Sequence, residues 1–218
     1  MKIPFKAALF NEAESLEISR KLAEIFKYRR TIREFSPEKP NRELIHNAIK
    51  VAGLAPSGAN KQPWSFCVIE NPELKSKIRK LSEIEERRFY VEKPNKKWLR
   101  DLKHLNLDAK KEFITTVPYL IAVFYRHFDL EEGEEKSTNY YAKESAGIAT
   151  GMLISALHLS GLNCLTYTPK RMQFLGTLLD RPSEERPFMV LGVGLPHEDA
   201  MVPIITKKQL DQVLHSYQ

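Results

Sequence analysis

Apolar positions along the chain alternate between helical spacing and short continuous runs. In residues 11–28, Leu16, Leu22, Ile25 and Phe26 recur near helical spacing, and Asn11 followed by Glu14 forms a capping box that opens the helix. Leu44, Ile45, Ala48, Ile49 and Ala52 repeat that pattern behind Asn41, and Gly53 with Pro56 ends the second helix. Asn71-Pro72 starts a third, with Leu74, Ile78 and Leu81 inward. Residues 98–113 predict a fourth, parted from the third by Pro94 and Asn95.

Strands fall between these helices. Residues 65–70, 163–167 and 188–193 read as strands, with a short helix from about Lys170 between the last two. The run 117–125 (VPYLIAVFY) is apolar throughout, which suits a central strand buried on both faces. Residues 128–138 (FDLEEGEEKST) are charged and predict a solvated loop. A long helix of small residues follows over 140–160, stopped by Gly161. Its Ala142, Ala146, Ala149, Gly151 and Ala156 admit close approach of another helix, from the same chain or from a second copy. No internal repeat or low-complexity segment is present, so residues 1–218 are expected to form one domain.

Composition narrows the function classes. At 218 residues and 42% hydrophobic content the chain can bury a sizeable core. The formal charge of +6 favours anionic ligands, but no stripe of basic and aromatic residues argues for nucleic acid. Cys67 and Cys164 lie in apolar strand-like runs and read as buried thiols of a reducing cytoplasm, not as a disulfide. The six histidines show no ligand spacing, so no metal is expected. The N-terminal residues lack a signal-peptide core and the longest apolar run is half a membrane span, which predicts a soluble cytoplasmic chain without membrane contact.

Two stretches carry most of the chemistry. Arg29-Arg30-Thr31-Ile32-Arg33 places three guanidiniums within five residues, planar forks suited to a terminal phosphate. About 25 residues later, Ala55-Pro56-Ser57-Gly58-Ala59-Asn60-Lys61-Gln62-Pro63-Trp64 joins a turn to an amide and an aromatic, and Gly58 lets backbone come close to a ligand. Alone, an arginine pair is a solvated surface and Pro-Ser-Gly a turn. Together they describe a pocket for something anionic and flat.

RRTIREF, then APSGANKQPWSF, then a C-terminal GVGLP resembles the nitroreductase superfamily of FMN enzymes, from about Tyr28 to Leu214. Within it, the chain is most similar to the iodotyrosine deiodinases. The resemblance implies an α+β fold with a central mixed sheet surrounded by helices, an intertwined homodimer, and FMN bound between subunits. It implies cofactor contacts from Arg29, Arg30, Thr31, Arg33, Pro56, Ser57, Gly58, Thr166, Tyr167, Thr168 and Lys207, the last where the family has an arginine. Thr168 would donate to flavin N5 and favour one-electron steps, and the Ala59 backbone N–H would meet the substrate phenolate. Glu86, Tyr90 and Lys111 would form a lid over residues 86–111 that clasps an amino-acid zwitterion, with Glu86 on the ammonium and Lys111 on the carboxylate.

Without the resemblance, those three are solvated helix residues, and Thr166-Tyr167-Thr168-Pro169 is a strand ending at a proline. The implied activity is FMN-dependent reductive dehalogenation of halotyrosines (iodo-, bromo- or chlorotyrosine) to tyrosine and halide. A general FMN nitro- or quinone reductase and a non-catalytic flavin-binding protein stand as alternatives. Gly192-Val193-Gly194 is too short for a nicotinamide fingerprint, so the electron donor stays open.

Overall fold

The computed structural model describes residues 3–7, 10–92, 95–105, 107–130, 135–169 and 171–217. Its centre is a four-stranded sheet of β1 (Trp64–Ile69), β2 (Tyr119–Arg126), β5 (Asn163–Tyr167) and β6 (Glu185–Gly194), in the order β1-β2-β6-β5. All three strand pairings are antiparallel. The parallel component of the expected mixed sheet is a single bridge, Thr31 to Cys164, which lays the arginine-rich segment alongside the β5 edge.

Strand β2 explains the layering. Its residues from Tyr119 to Phe124 are fully buried and alternate between two faces. Tyr119, Ile121 and Val123 pack against α2 (Arg42–Gly53) and α6 (Ala142–Leu159), through Ile45, Ala48, Leu153 and Leu157. Leu120, Ala122 and Phe124 meet α3 (Pro72–Arg87), α5 (Phe113–Thr116) and α7 (Phe174–Leu178), through Ile78, Ile114 and Leu175. The Tyr119 hydroxyl, buried at one strand end, donates to the Pro40 carbonyl at 2.7 Å.

Side-chain caps set the helix starts that the sequence predicts. Asn11 and Glu14 close a capping box on α1 (Glu12–Lys27), and Asn41 and Asn71 accept from the first turns of α2 and α3. Gly161 stops α6 with φ +78°.

Two expectations are corrected. Residues 98–113 do not form one helix: α4 (Lys96–Leu102) tightens into a 3-10 turn at Lys103–Leu105 and ends, and α5 begins only at Phe113. Competing acceptors explain the break, because the Lys110 N–H bonds the Asp108 carboxylate at 2.9 Å and the Lys111 N–H bonds Glu83 on α3 at 2.9 Å. The charged stretch 128–138 is not a plain loop either, since β3 (Phe128–Leu130) and β4 (Lys136–Thr138) pair as a hairpin. The Lys136 ammonium sits 4.8 Å from the Phe128 ring centre and anchors that ladder. Pro94, the expected break between the third and fourth helices, lies outside the described residues, as does Lys170; the helix expected from about Lys170 is α7, which begins at Phe174.

Candidate active site

A cavity of about 350 Å³ opens beyond the C-terminal end of β5, under the segment that links α3 to α5. Arg33, Glu86, Tyr90, Lys111, Thr166, Tyr167 and Thr168 all line it, so seven of the residues singled out in the sequence converge on one space. Each wall has a local cause. Glu86 ends α3 on the same face as the buried Ile78 and Ser82, and the following π-helical turn, Arg88–Glu92, carries Tyr90. The loop that replaces the expected long helix delivers Lys111, and β5 delivers the Thr166-Tyr167-Thr168 wall.

The charges in the cavity are arranged as a pair. Lys111 Nζ lies 3.0 Å from Glu86 Oε2, and each side chain is 11% exposed. The ammonium also donates to the Asp108 carbonyl and lies 5.6 Å from the Tyr90 ring centre. The Tyr167 hydroxyl donates to the other carboxylate oxygen, Oε1, at 3.1 Å. Burial, with the negative charges of Glu86 and Asp108, holds the Tyr90 phenol above its ordinary value. Burial lowers the Arg33 guanidinium, which is half-buried and has no carboxylate partner among the described residues. A half-buried guanidinium without a carboxylate partner can pair with an anionic ligand.

Other expected residues lie elsewhere. Arg29 and Arg30 are half-buried on the segment that runs into the Thr31 bridge, outside the cavity lining, and Arg30 donates to the Pro203 carbonyl. Lys207 is exposed, on the extended arm that follows Pro203. Pro56, Ser57, Gly58 and Ala59 are absent from the cavity lining. They form the turn before β1, and β1 is the opposite sheet edge from β5. Cys67, Ala122, Val190 and Tyr167 stand level across the sheet, so the two edges are roughly 14 Å apart at three strand spacings. Within one chain the turn does not reach Thr168.

The turn is nonetheless conformationally unusual. Ala59, Asn60 and Gln62 all adopt left-handed backbone, with φ of 50°, 55° and 48°. Such conformations cost on the order of 1 kcal/mol or more each and concentrate at ligand-binding loops. The Ser57 hydroxyl accepts the Gln62 N–H at 3.0 Å and holds the loop in that shape. A side chain at Gly58 would come within 2.6 Å of the Tyr140 carbonyl oxygen, so only glycine fits there.

Sequence reasoning missed an aromatic wall and a carbonyl. Phe89 packs edge-on against Tyr90 and Trp98, with ring centres 5.0 and 4.8 Å apart, and all three line the cavity. Phe89 and Trp98, three and twelve residues after Glu86, were the available signal. Asp108 acts on Lys111 through its backbone oxygen, for which a sequence has no signature.

The profile of the nitroreductase family matches residues 26–195. Iodotyrosine deiodinase of Haliscomenobacter hydrossis is 42% identical over 99% of this chain and 97% of its own. Human iodotyrosine deiodinase 1 is 38% identical over 97% of this chain and 74% of its own. A crystal structure of oxidized iodotyrosine deiodinase bound to FMN and 3-iodo-L-tyrosine superposes with a TM-score of 0.75 at 33% identity, covering 90% of this chain and 98% of that one. A BluB-like flavoprotein from Clostridium difficile 630, 20% identical with a TM-score of 0.69, shares the fold.

Proposed function

Because the chain belongs to the nitroreductase family and, within it, to the iodotyrosine deiodinases, we propose that it is an FMN-dependent dehalogenase that converts halotyrosines to tyrosine and halide. The observation that carries this reading is the facing pair of Glu86 and Lys111 beside Tyr90, in a cavity walled by Phe89 and Trp98. Opposite charges 3.0 Å apart offer one partner to an ammonium and another to a carboxylate, and the aromatic wall suits a phenol ring.

The chain's own residues divide the work. Arg33, with Arg29 and Arg30 just before it and Lys207 from the C-terminal arm, would hold the phosphate of FMN, and Thr31 and Thr166 would flank it. Lysine at 207 brings charge without the bidentate fork of arginine. When bound, FMN would supply two electrons that, with one proton from solvent, replace the carbon–halogen bond by carbon–hydrogen, while the halide leaves with its bonding pair. Thr168, exposed at the end of β5, would present its hydroxyl to the ring edge of the cofactor. Glu86, Tyr90 and Lys111 would orient the amino acid and exclude water as the 86–111 lid closes. The Ala59 N–H would hold the phenolate, which the halogen makes accessible well below the ordinary tyrosine pKa of about 10.

Pro56, Ser57, Gly58 and Ala59 would reach this site from a second copy, because they lie at the far sheet edge of their own chain. Exposed apolar surface supports a homodimer. Helix α1 buries no residue, and Ile204, Leu210, Leu214 and Tyr217 of the C-terminal arm stand in solvent in the single chain. Residues 1–218 then act as one domain, and free Cys67 and Cys164 suit the reducing cytoplasm.

The test is anaerobic. Dithionite-reduced, FMN-loaded protein should release tyrosine and iodide from 3-iodotyrosine, with 2-iodophenol a much poorer substrate. Glu86→Gln and Lys111→Met should each weaken 3-iodotyrosine binding about 10-fold or more with little change in FMN content, the scale of a lost charge-assisted contact. Flavin-loaded protein that reduces nitroaromatics and releases no tyrosine would instead mark a general nitro- or quinone reductase.

A further inference from the structure

We propose that the Tyr167 hydroxyl is a positioning group for the ammonium subsite: it pins Glu86 Oε1 to the sheet and thereby makes the site selective for α-amino acids over simple halophenols. The inference rests on the reading of Glu86 given above. A glutamate side chain has three rotatable bonds, and the Glu86 carboxylate is held from two directions. Oε1 accepts the Tyr167 hydroxyl at 3.1 Å, and Oε2 faces Lys111 at 3.0 Å. These holds differ in kind. Lys111 belongs to the loop between α4 and α5 and is assigned to the substrate carboxylate, so its hold on Oε2 is exchanged when the amino acid enters. Tyr167 belongs to β5, paired across from Val190 in the central sheet, and its hold persists.

Tyr167 is itself fixed. Its ring meets the Phe113 ring edge-on, with centres 5.6 Å apart and planes at 77°. Burial and the adjacent Glu86 charge raise its phenol far above the ordinary range, so it remains a donor wherever the enzyme works. The buried Ser82 hydroxyl, one turn before Glu86, lies beside the Tyr167 phenol, and Tyr167 is the hydroxyl that donates to this carboxylate. A donor on the sheet leaves Oε2 aimed into the cavity and spares the substrate ammonium the cost of ordering the side chain.

Tyr167→Phe keeps the ring and its Phe113 contact. Dissociation constants of 3-iodotyrosine and 2-iodophenol would be measured on the FMN-loaded protein by quenching of flavin fluorescence. The expected result is about 10-fold weaker 3-iodotyrosine binding with 2-iodophenol changed less than about 2-fold, at unchanged FMN content. In a Glu86→Gln background, Tyr167→Phe should add less than about 2-fold, because the two act as a unit. Equal weakening of both ligands, parallel loss of FMN, or fully additive effects would overturn the inference. If Glu86→Gln weakens 3-iodotyrosine and Tyr167→Phe does not, this inference alone fails. If Glu86→Gln changes nothing, the zwitterion reading beneath it fails as well.

Discussion

Glu86 and Lys111 are each other's counter-ion, and that sets how the cavity responds to substitution. Removing one strands the other charge where water reaches it poorly, which costs about 3 kcal/mol, whereas removing both leaves no orphan. Lys111→Met should therefore be less stable than Lys111→Met combined with Glu86→Gln, as denaturant midpoints would show. At Gly58 the constraint is steric. Gly58→Ala pushes a methyl group against the Tyr140 backbone oxygen and should lower the melting temperature by several degrees or displace the turn, read by calorimetry and by FMN retention. Arg33, Glu86, Tyr90, Lys111 and Thr168, all singled out in the sequence through the family resemblance, line one cavity. What the residues alone could not say is that Glu86 and Lys111 face each other, because the loop that brings Lys111 to Glu86 is shaped by Glu83 on α3 and by Asp108 within the loop itself.

Elements followed their local signals wherever those signals were self-sufficient. Asparagine caps and apolar periodicity placed α1, α2 and α3 within a residue or two. The 98–113 helix failed because two carboxylates, Asp108 within the segment and Glu83 on α3, outcompeted its own carbonyls, and periodicity carries no record of them. The start of β6 offers a test of another hidden contact. Glu185 is buried between Arg181, which donates to it at 2.7 and 2.9 Å, and the Ser65 hydroxyl at 2.6 Å. Burial pushes its carboxyl up, but the hydrogen bonds from Arg181 and Ser65 outweigh it and leave the group below its ordinary value of 4.5. Between the folded value and 4.5 the unfolded chain binds more protons, so stability rises with pH there. The contribution is fully present above 4.5 and is lost as pH falls through the lower folded value. Glu185→Gln should reduce stability by about 2–4 kcal/mol near neutrality and flatten the acid limb of a melting-temperature profile.

At the scale of the whole molecule, one chain leaves apolar surface exposed. The outward side of α6 pairs exposed Ile148 and Leu159 with Gly151, and a side chain at Gly151 would meet nothing within 4 Å in its own subunit. Gly151→Glu is thus harmless to the isolated chain, and within a helix it removes a glycine cost of about 1 kcal/mol. In a dimer closed over this face the same change buries a charge. Sedimentation velocity should show a shift from dimer to monomer with loss of bound FMN, and retention of both would place the interface elsewhere. The sequence left both uses of this small-residue helix open. Ala146, Ala149 and Leu153 face the protein's own core, while Ile148 and Gly151 look outward. The turn at residues 56–59 and the cavity at Thr168 sit on opposite margins of one sheet. In the proposed dimer each catalytic centre would be a hybrid, and genetic dominance need not follow gene dosage. A chain crippled at Gly58 and a chain crippled at Lys111, both silent as homodimers, would rescue one another in a mixed pair, with one of its two centres drawn entirely from intact halves.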